Sequence, residues 1–204
     1  MGALNKMRTF DELLKDAMRA FHAAEDCWQA WWFYVGEDTP ATFFHAFDLY
    51  PWLVDQEIHA HFVATVMALG KLYDSSNDAV SLSSLFREAR VQNAVCIEVL
   101  AAIRADRKKA SKIWSRLKVI RDENVAHVLA EEDFKEVFER ANIKYEKVEE
   151  LICLSRNVLN RLCEARNTGQ WFPDYHVRKD ITKLWESVLI ARAEAVNRRT
   201  RYGE

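Results

Sequence analysis

The segment Ile113–His127 reads IWSRLKVIRDENVAH, and its apolar pattern decides the fold class. Ile113, Leu117 and Ile120 are spaced by four and three residues, which is typical of a helix that buries one face. The same helical spacing recurs in Leu82–Ala89, Val148–Leu162 and Ile181–Val188. The chain is therefore predicted to consist of amphipathic helices.

The composition supports an all-helical fold. Of the 204 residues, 50% are hydrophobic and 29% are charged, a balance typical of one globular domain with a substantial core. Only five glycines and three prolines are present, which leaves few turn residues for a many-stranded sheet. We expect a single all-α domain over residues 1–204, an up-and-down bundle of about five to seven helices that ends in a basic tail over about residues 190–204.

Local signals place the ends of several helices. Glycine, proline and polar capping residues interrupt the apolar pattern between successive helices. The first three predicted helices cover residues 8–35, 41–49 and 52–73. Ser81 is a candidate N-cap of the next helix, and Asn167–Gly169 provides a left-handed terminator for a later one.

The sequence contains no recognisable membrane or export signal. Its longest uncharged run, Ile58–Gly70, is shorter than the roughly 18–20 residues that span a bilayer. Residues 1–10 lack the apolar stretch and cleavage site of a secretory signal. We expect a cytoplasmic protein without membrane contact, and its cysteines are predicted to be reduced core residues. These cysteines are Cys27, Cys96, Cys153 and Cys163.

Aromatic residues surround more than one face of the first predicted helix. They are Trp28, Trp31, Trp32, Phe33 and Tyr34. A helix on one side of a bundle needs only one apolar stripe. The excess indicates either a subunit interface or an interior helix covered by Phe43, Phe44 and Phe47.

Polar residues continue the apolar stripe of Ile113–His127. Further steps of four and three from Ile120 reach Asn124 and His127, and Arg121 lies at the border of the same face. A buried amide or imidazole costs roughly 1–3 kcal/mol when it lacks a hydrogen bond. Because polar residues at core positions often mark function, these side chains are predicted to line one groove.

The segment Arg121–His127 resembles the signature of the HEPN superfamily of helical ribonucleases. An arginine is followed directly by a polar residue, Asp122, and five positions separate the arginine from the histidine. Together with LYDSSNDAVSLSSLFREA at residues 72–89, the run SRLKVIRDENVAH is similar to the abortive-infection AbiU-type branch of HEPN-like proteins. The resemblance covers roughly residues 10–190.

This resemblance implies metal-independent RNA cleavage by a homodimer, in which two motifs face one cleft. His127 would act as general base or acid, because its unperturbed pKa lies near 6.5. Arg121 would hold the phosphate, Asn124 would orient either residue, and Asp122 would fix the arginine or the opposing histidine. The products would carry 2′,3′-cyclic phosphate and 5′-hydroxyl ends. No cofactor and no metal are expected.

The resemblance also implies a biological setting: phage defence by abortive infection, or the toxin of a toxin–antitoxin pair. RNA is the expected ligand, and a separately encoded antitoxin is a further candidate partner. Eight basic residues and one acid lie between Arg104 and Arg121. Lys112, Arg116 and Lys118 in this stretch form either an RNA-guiding surface or an ordinary solvated helix face.

Two other functional interpretations stay open. Acidic residues surround the motif, namely Glu123, Glu131, Glu132 and Asp133, and they oppose phosphate binding unless they point away or pair with bases. One alternative is therefore a non-catalytic HEPN-like module that binds a nucleotide or a protein partner. The other is a helical scaffold that binds neither RNA nor a small molecule. Phosphate-loop, dinucleotide-binding and nucleophile-elbow motifs do not occur in the sequence.

Overall fold

A computed structural model describes residues 8–37, 39, 41–73, 81–125, 139–169 and 176–202. Within these ranges the chain forms eight α-helices, one π-helical turn and no strand, which confirms the all-α class. The helices are α1 (Phe10–Val35), α2 (Ala41–Phe47), α3 (Pro51–Tyr73), α4 (Leu82–Val91), α5 (Ile97–Ala102), α6 (Arg104–Ile120), α7 (Tyr145–Ala165) and α8 (His176–Tyr202), with the π-helical turn at Arg121–Val125. Six of these helices have ten residues or more; α2 and α5 are shorter.

Capping residues explain where several helices begin and end. Ser81 and Ser84 form a reciprocal capping box at the start of α4, as the sequence predicts for Ser81. At the start of α1, Thr9 and Glu12 exchange the same two hydrogen bonds, at 2.9 and 3.2 Å. After α7, Asn167 and Gly169 both adopt positive φ angles, which confirms the predicted terminator.

The helices group into two compact units. The first contains Met1–Glu25 and Val63–Phe172, and the second contains Asp26–Phe62 and Pro173–Glu204. Helices α1 and α3 contribute residues to both units. The single domain over residues 1–204 stays a prediction.

In the first unit, α6 packs along α7. The predicted stripe of α6 is buried: Ile113 is 8% exposed, and Leu117 and Ile120 are completely enclosed. In this unit, two ion pairs join α1 to α7 and to the residue that follows it. Arg166 binds Asp11 through two nitrogens at 2.8 and 2.9 Å, and Arg156 pairs with Glu25, whose side chain is only 2% exposed.

In the second unit, aromatic rings form the core. Phe33 and Tyr34 pack against Phe47, with ring centroids 6.2 and 5.5 Å apart, and Trp185 of α8 completes the cluster. Of the five aromatic residues Trp28, Trp31, Trp32, Phe33 and Tyr34 of α1, all are buried except Trp32, which is partly exposed. This burial favours the interior-helix interpretation, with Phe43 and Phe47 as the covering residues. Phe44 does not cover it, because it is 46% exposed.

Two further expectations need correction. Of the four cysteines, only Cys163 is buried; Cys27 is partly buried, and Cys96 and Cys153 are exposed. Residues 190–202 continue α8 and do not form a separate tail, because the sequence ARAEAVNRR contains strong helix formers and no glycine or proline before Gly203. None of the described helices is long and apolar enough to cross a membrane, and cytoplasmic location stays a prediction.

Candidate functional site

The predicted motif begins where α6 changes into a π-helical turn. Residues 121–125 form this turn directly after Ile120. Such wider turns occur frequently at functional sites, because they change the direction in which side chains leave the helix. The turn includes the backbone of Arg121, Asp122 and Asn124. The side chain of Asn124 and the whole of His127 lie outside the described residues.

Arg121 is held at the edge of the core by two neighbouring residues. Its side chain is 16% exposed, and its guanidinium carbon lies 5.5 Å from the ring centroid of Trp114 on α6. On the facing helix α3, Gly70 provides the space for the arginine. A Cβ atom at position 70 would lie 3.3 Å from Nη1 and 3.4 Å from Cδ of Arg121. The absence of a side chain at Gly70 therefore lets the arginine pass.

Asp122 binds the same guanidinium group. Its Oδ1 atom accepts a hydrogen bond from Nε of Arg121 at 2.8 Å and lies 2.7 Å from Nη2. Lys118, one turn earlier, places its Nζ atom 3.8 Å from Oδ2 of Asp122. Asp122 thus lies between two cations, which is the geometry expected for a residue that fixes the arginine.

The ring of Trp114 packs in turn against Tyr73, whose hydroxyl contacts Ser155. Tyr73 of α3 stacks on Trp114 with ring centroids 5.6 Å apart, and its hydroxyl lies 2.7 Å from Oγ of Ser155. Since Ser155 donates its own hydrogen to the carbonyl of Leu151, Tyr73 is the donor in this contact. Burial raises the pKa of Tyr73 to about 12. The phenol is therefore neutral and structural.

Sequence reasoning did not find Gly70, Tyr73 or Trp114. One available signal was Gly70 itself, because a glycine inside an apolar helix lowers helix stability by about 1 kcal/mol and usually has a packing reason. The sequence does not indicate that Arg121 and Trp114 lie next to Gly70, because they come close only in the folded chain.

The acidic residues near the motif are partly neutralised. Glu123 pairs with Arg140, whose Nε atom donates at 3.0 Å. Glu131, Glu132 and Asp133 lie outside the described residues. Within the part of the chain that is described, no group of histidine, cysteine and carboxylate side chains is arranged to hold a metal ion.

The three predicted RNA-binding residues occupy different places on α6. Lys112 is exposed and lines an open groove of about 870 Å³ along α5 and α6. Arg116 donates to the carbonyl of Asn142 at 3.5 Å, and Lys118 approaches Asp122. The structure therefore does not bring the three cations to one point, and only Lys112 belongs to the groove.

An all-helical fold with an arginine-led polar motif at the end of a core helix is the arrangement expected of a HEPN-type protein. The family model described as AbiU2 matches residues 7–183. The chain belongs to this HEPN AbiU2 family, which confirms the resemblance seen in the sequence. No curated protein and no solved structure matches the chain significantly.

Proposed function

We propose that this protein is a metal-independent endoribonuclease of an abortive-infection or toxin–antitoxin system. It acts as a homodimer with two motifs at one cleft. The observation that carries the proposal is the anchored position of Arg121 at the start of a π-helical turn, in a chain of the HEPN AbiU2 family. An arginine that Trp114 and Asp122 already hold in place needs little further ordering, which favours phosphate binding in the transition state.

In the proposed reaction, the ribose 2′-oxygen attacks the adjacent phosphorus and the 5′-oxygen leaves. The His127 side chains of the dimer take the base and acid roles: one removes the 2′-hydroxyl proton, and the other protonates the 5′-oxygen. Arg121 balances the charge that grows on the phosphoryl oxygens, and Asn124 orients the reacting groups. The products are a 2′,3′-cyclic phosphate and a 5′-hydroxyl end.

The test is incubation of the purified protein with total RNA in excess EDTA, followed by electrophoresis and end-group analysis. Cleavage to cyclic phosphates by the parent, and its loss in His127→Ala and Arg121→Ala, is the expected result. Arg121→Lys keeps the charge and loses the fork of donors, so we expect only a small residual rate. His59→Ala on α3 is the matched control. Equal cleavage by the parent and His127→Ala would contradict the proposal.

One observation favours a second function. The guanidinium of Arg121 is already engaged by the Asp122 carboxylate, so an incoming phosphate has to compete with it. Such an ion pair fits a non-catalytic HEPN-like module that binds a nucleotide or a protein partner, including a separately encoded antitoxin. A folded dimer that leaves RNA intact, both as parent and as His127→Ala, would favour this module.

A further inference from the structure

The groove along α5 and α6 concentrates cations that have no acidic partner. The described residues that line it are four basic residues, two serines and two alanines: Arg104, Arg107, Lys108, Lys112, Ser111, Ser115, Ala101 and Ala105. Among the described residues, no carboxylate contributes to this lining. The groove therefore has the charge and the small side chains expected of a site for an extended polyanion.

Ion pairing separates the cations of α6 into two sets. Outside the groove, Lys109 pairs with Glu150, and Lys118 and Arg121 both contact Asp122. Among the described residues, no ion pair involves any of the four groove cations. Carboxylates thus contact Lys109, Lys118 and Arg121, whereas no described carboxylate is paired with the groove cations.

The groove cations also repel one another. Arg107 lies over the ring of Phe86 at 4.5 Å, and burial together with nearby Arg90 and Arg104 lowers its pKa. A cluster of like charges without carboxylates is unfavourable in the unbound protein. An anion bound in the groove would reduce this repulsion, and this favours anion binding by the folded protein.

Helical geometry places the groove apart from the motif. Lys108, near the middle of the groove, precedes Arg121 by more than three turns, which corresponds to about 20 Å along the axis of α6. With 100° per residue, the groove face and Arg121 also point in directions about 140° apart. A ligand in the groove is therefore bound independently of the guanidinium of Arg121.

We propose that this groove is a second, sequence-independent site that binds the phosphate backbone of single-stranded RNA. Backbone phosphates match the row of Arg104, Lys108 and Lys112, and the hydroxyls of Ser111 and Ser115 are suited to phosphate oxygens. The part of the lining that the structure describes contains no aromatic ring for stacking and no large apolar side chain to hold a peptide. The choice of RNA rests on the proposed function, whereas the polyanion site rests on the groove alone.

The test measures binding and not cleavage, so it is separable from the ribonuclease assay. His127→Ala protein is titrated with a fluorescent single-stranded RNA in EDTA at several salt concentrations. Two triple variants are made in this background. The groove variant carries Arg104→Gln, Lys108→Gln and Lys112→Gln. The control variant carries Lys144→Gln, Lys179→Gln and Arg192→Gln, at positions outside the groove. Circular dichroism and a thermal unfolding curve verify that both triple variants fold.

We expect the groove variant to bind RNA roughly tenfold or more weakly at low salt. Its log–log salt dependence should become shallower by about 2, since each released phosphate contact on a single strand contributes about 0.7. The control variant should lose much less affinity. Equal affinity of the two triple variants for RNA would overturn the proposal. Tight binding of poly-glutamate with no binding of RNA would overturn it in favour of an acidic protein partner.

Discussion

Gly70 and Arg121 are in contact across α3 and the turn that follows α6. A methyl group at position 70 would lie 3.3 Å from Nη1 of Arg121, and 3.5 Å from Cη2 of Trp114. The distance to Arg121 is short for a carbon atom in a packed interior, whereas the distance to Trp114 is an ordinary van der Waals contact. The glycine therefore leaves room for the side chain of Arg121 to reach the surface. In this way Gly70 affects where the guanidinium of Arg121 lies.

Substitution of Gly70 by alanine should separate stability from activity. Alanine favours the helix by about 1 kcal/mol, and the flexible end of Arg121 can move aside, so we expect the free energy of unfolding to change by less than about 1 kcal/mol. RNA cleavage should fall about tenfold, because the guanidinium loses its anchored position. Urea unfolding and single-turnover kinetics measure the two effects.

Lys71→Ala, at the neighbouring exposed position, is the control for this change. It should leave cleavage within about twofold of the parent. Full activity in Gly70→Ala would refute the role of this contact in positioning Arg121.

The partly buried phenol of Tyr73 should make the protein less stable at alkaline pH. Its pKa of about 12 lies above the ordinary value of 10, so the folded chain holds the proton when the unfolded chain has lost it. Stability from this group is complete below about pH 10 and is lost as the pH rises toward about 12, by about 2–3 kcal/mol in total. Urea unfolding between pH 8.5 and about 11.5 covers most of this window.

Tyr73→Phe should flatten this alkaline decline. At neutral pH it should lower the free energy of unfolding by about 1 kcal/mol, because the hydrogen bond to Ser155 is lost. Tyr50→Phe, at a position that is 48% exposed, serves as the control. An alkaline decline of the same size in Tyr73→Phe and the parent would show that the phenol of Tyr73 is not its source.

The buried carboxylate of Glu25 should depend on its ion pair with Arg156. Arg156→Met removes the cation and leaves a carboxylate that is 2% exposed, so we expect a loss of about 3 kcal/mol in the free energy of unfolding. Adding Glu25→Gln should restore part of this loss, because the buried charge disappears. Arg161→Met, at an exposed position of the same helix, should cost less than about 0.5 kcal/mol. Equal losses at positions 156 and 161 would contradict the expectation.

The fold was predictable from the sequence to the extent that it depends on local pattern. The burial of Leu117 and Ile120 follows from their spacing, and the cap at Ser81 follows from its hydroxyl and the apolar run behind it. The surroundings of Arg121 were not predictable, because they depend on Gly70 and on the π-helical turn. Periodicity identifies which face of a helix is buried, but not which residue of another helix meets it.

Asp122 gives the sharpest test of how Arg121 works. The carboxylate both orients the guanidinium and partly neutralises it, through contacts at 2.7 and 2.8 Å. In Asp122→Ala, the arginine should bind ground-state phosphate more tightly but hold the transition state less well. We therefore expect kcat to fall roughly 10- to 100-fold and KM to fall as well, a combination that a simple loss of folded protein does not produce. Steady-state kinetics on a short RNA measure both values.

Glu123→Ala is the matched control for Asp122→Ala, because it removes the adjacent carboxylate. Glu123 pairs with Arg140, whereas Asp122 pairs with Arg121 and Lys118. It should leave kcat within about twofold of the parent. A rise of kcat in Asp122→Ala would reverse the assignment: the ion pair would then restrain Arg121, and the release of this restraint would be the step that an activating signal has to perform. Tighter phosphate binding, measured without turnover, should accompany both cases, so the direction of the change in kcat is what separates them.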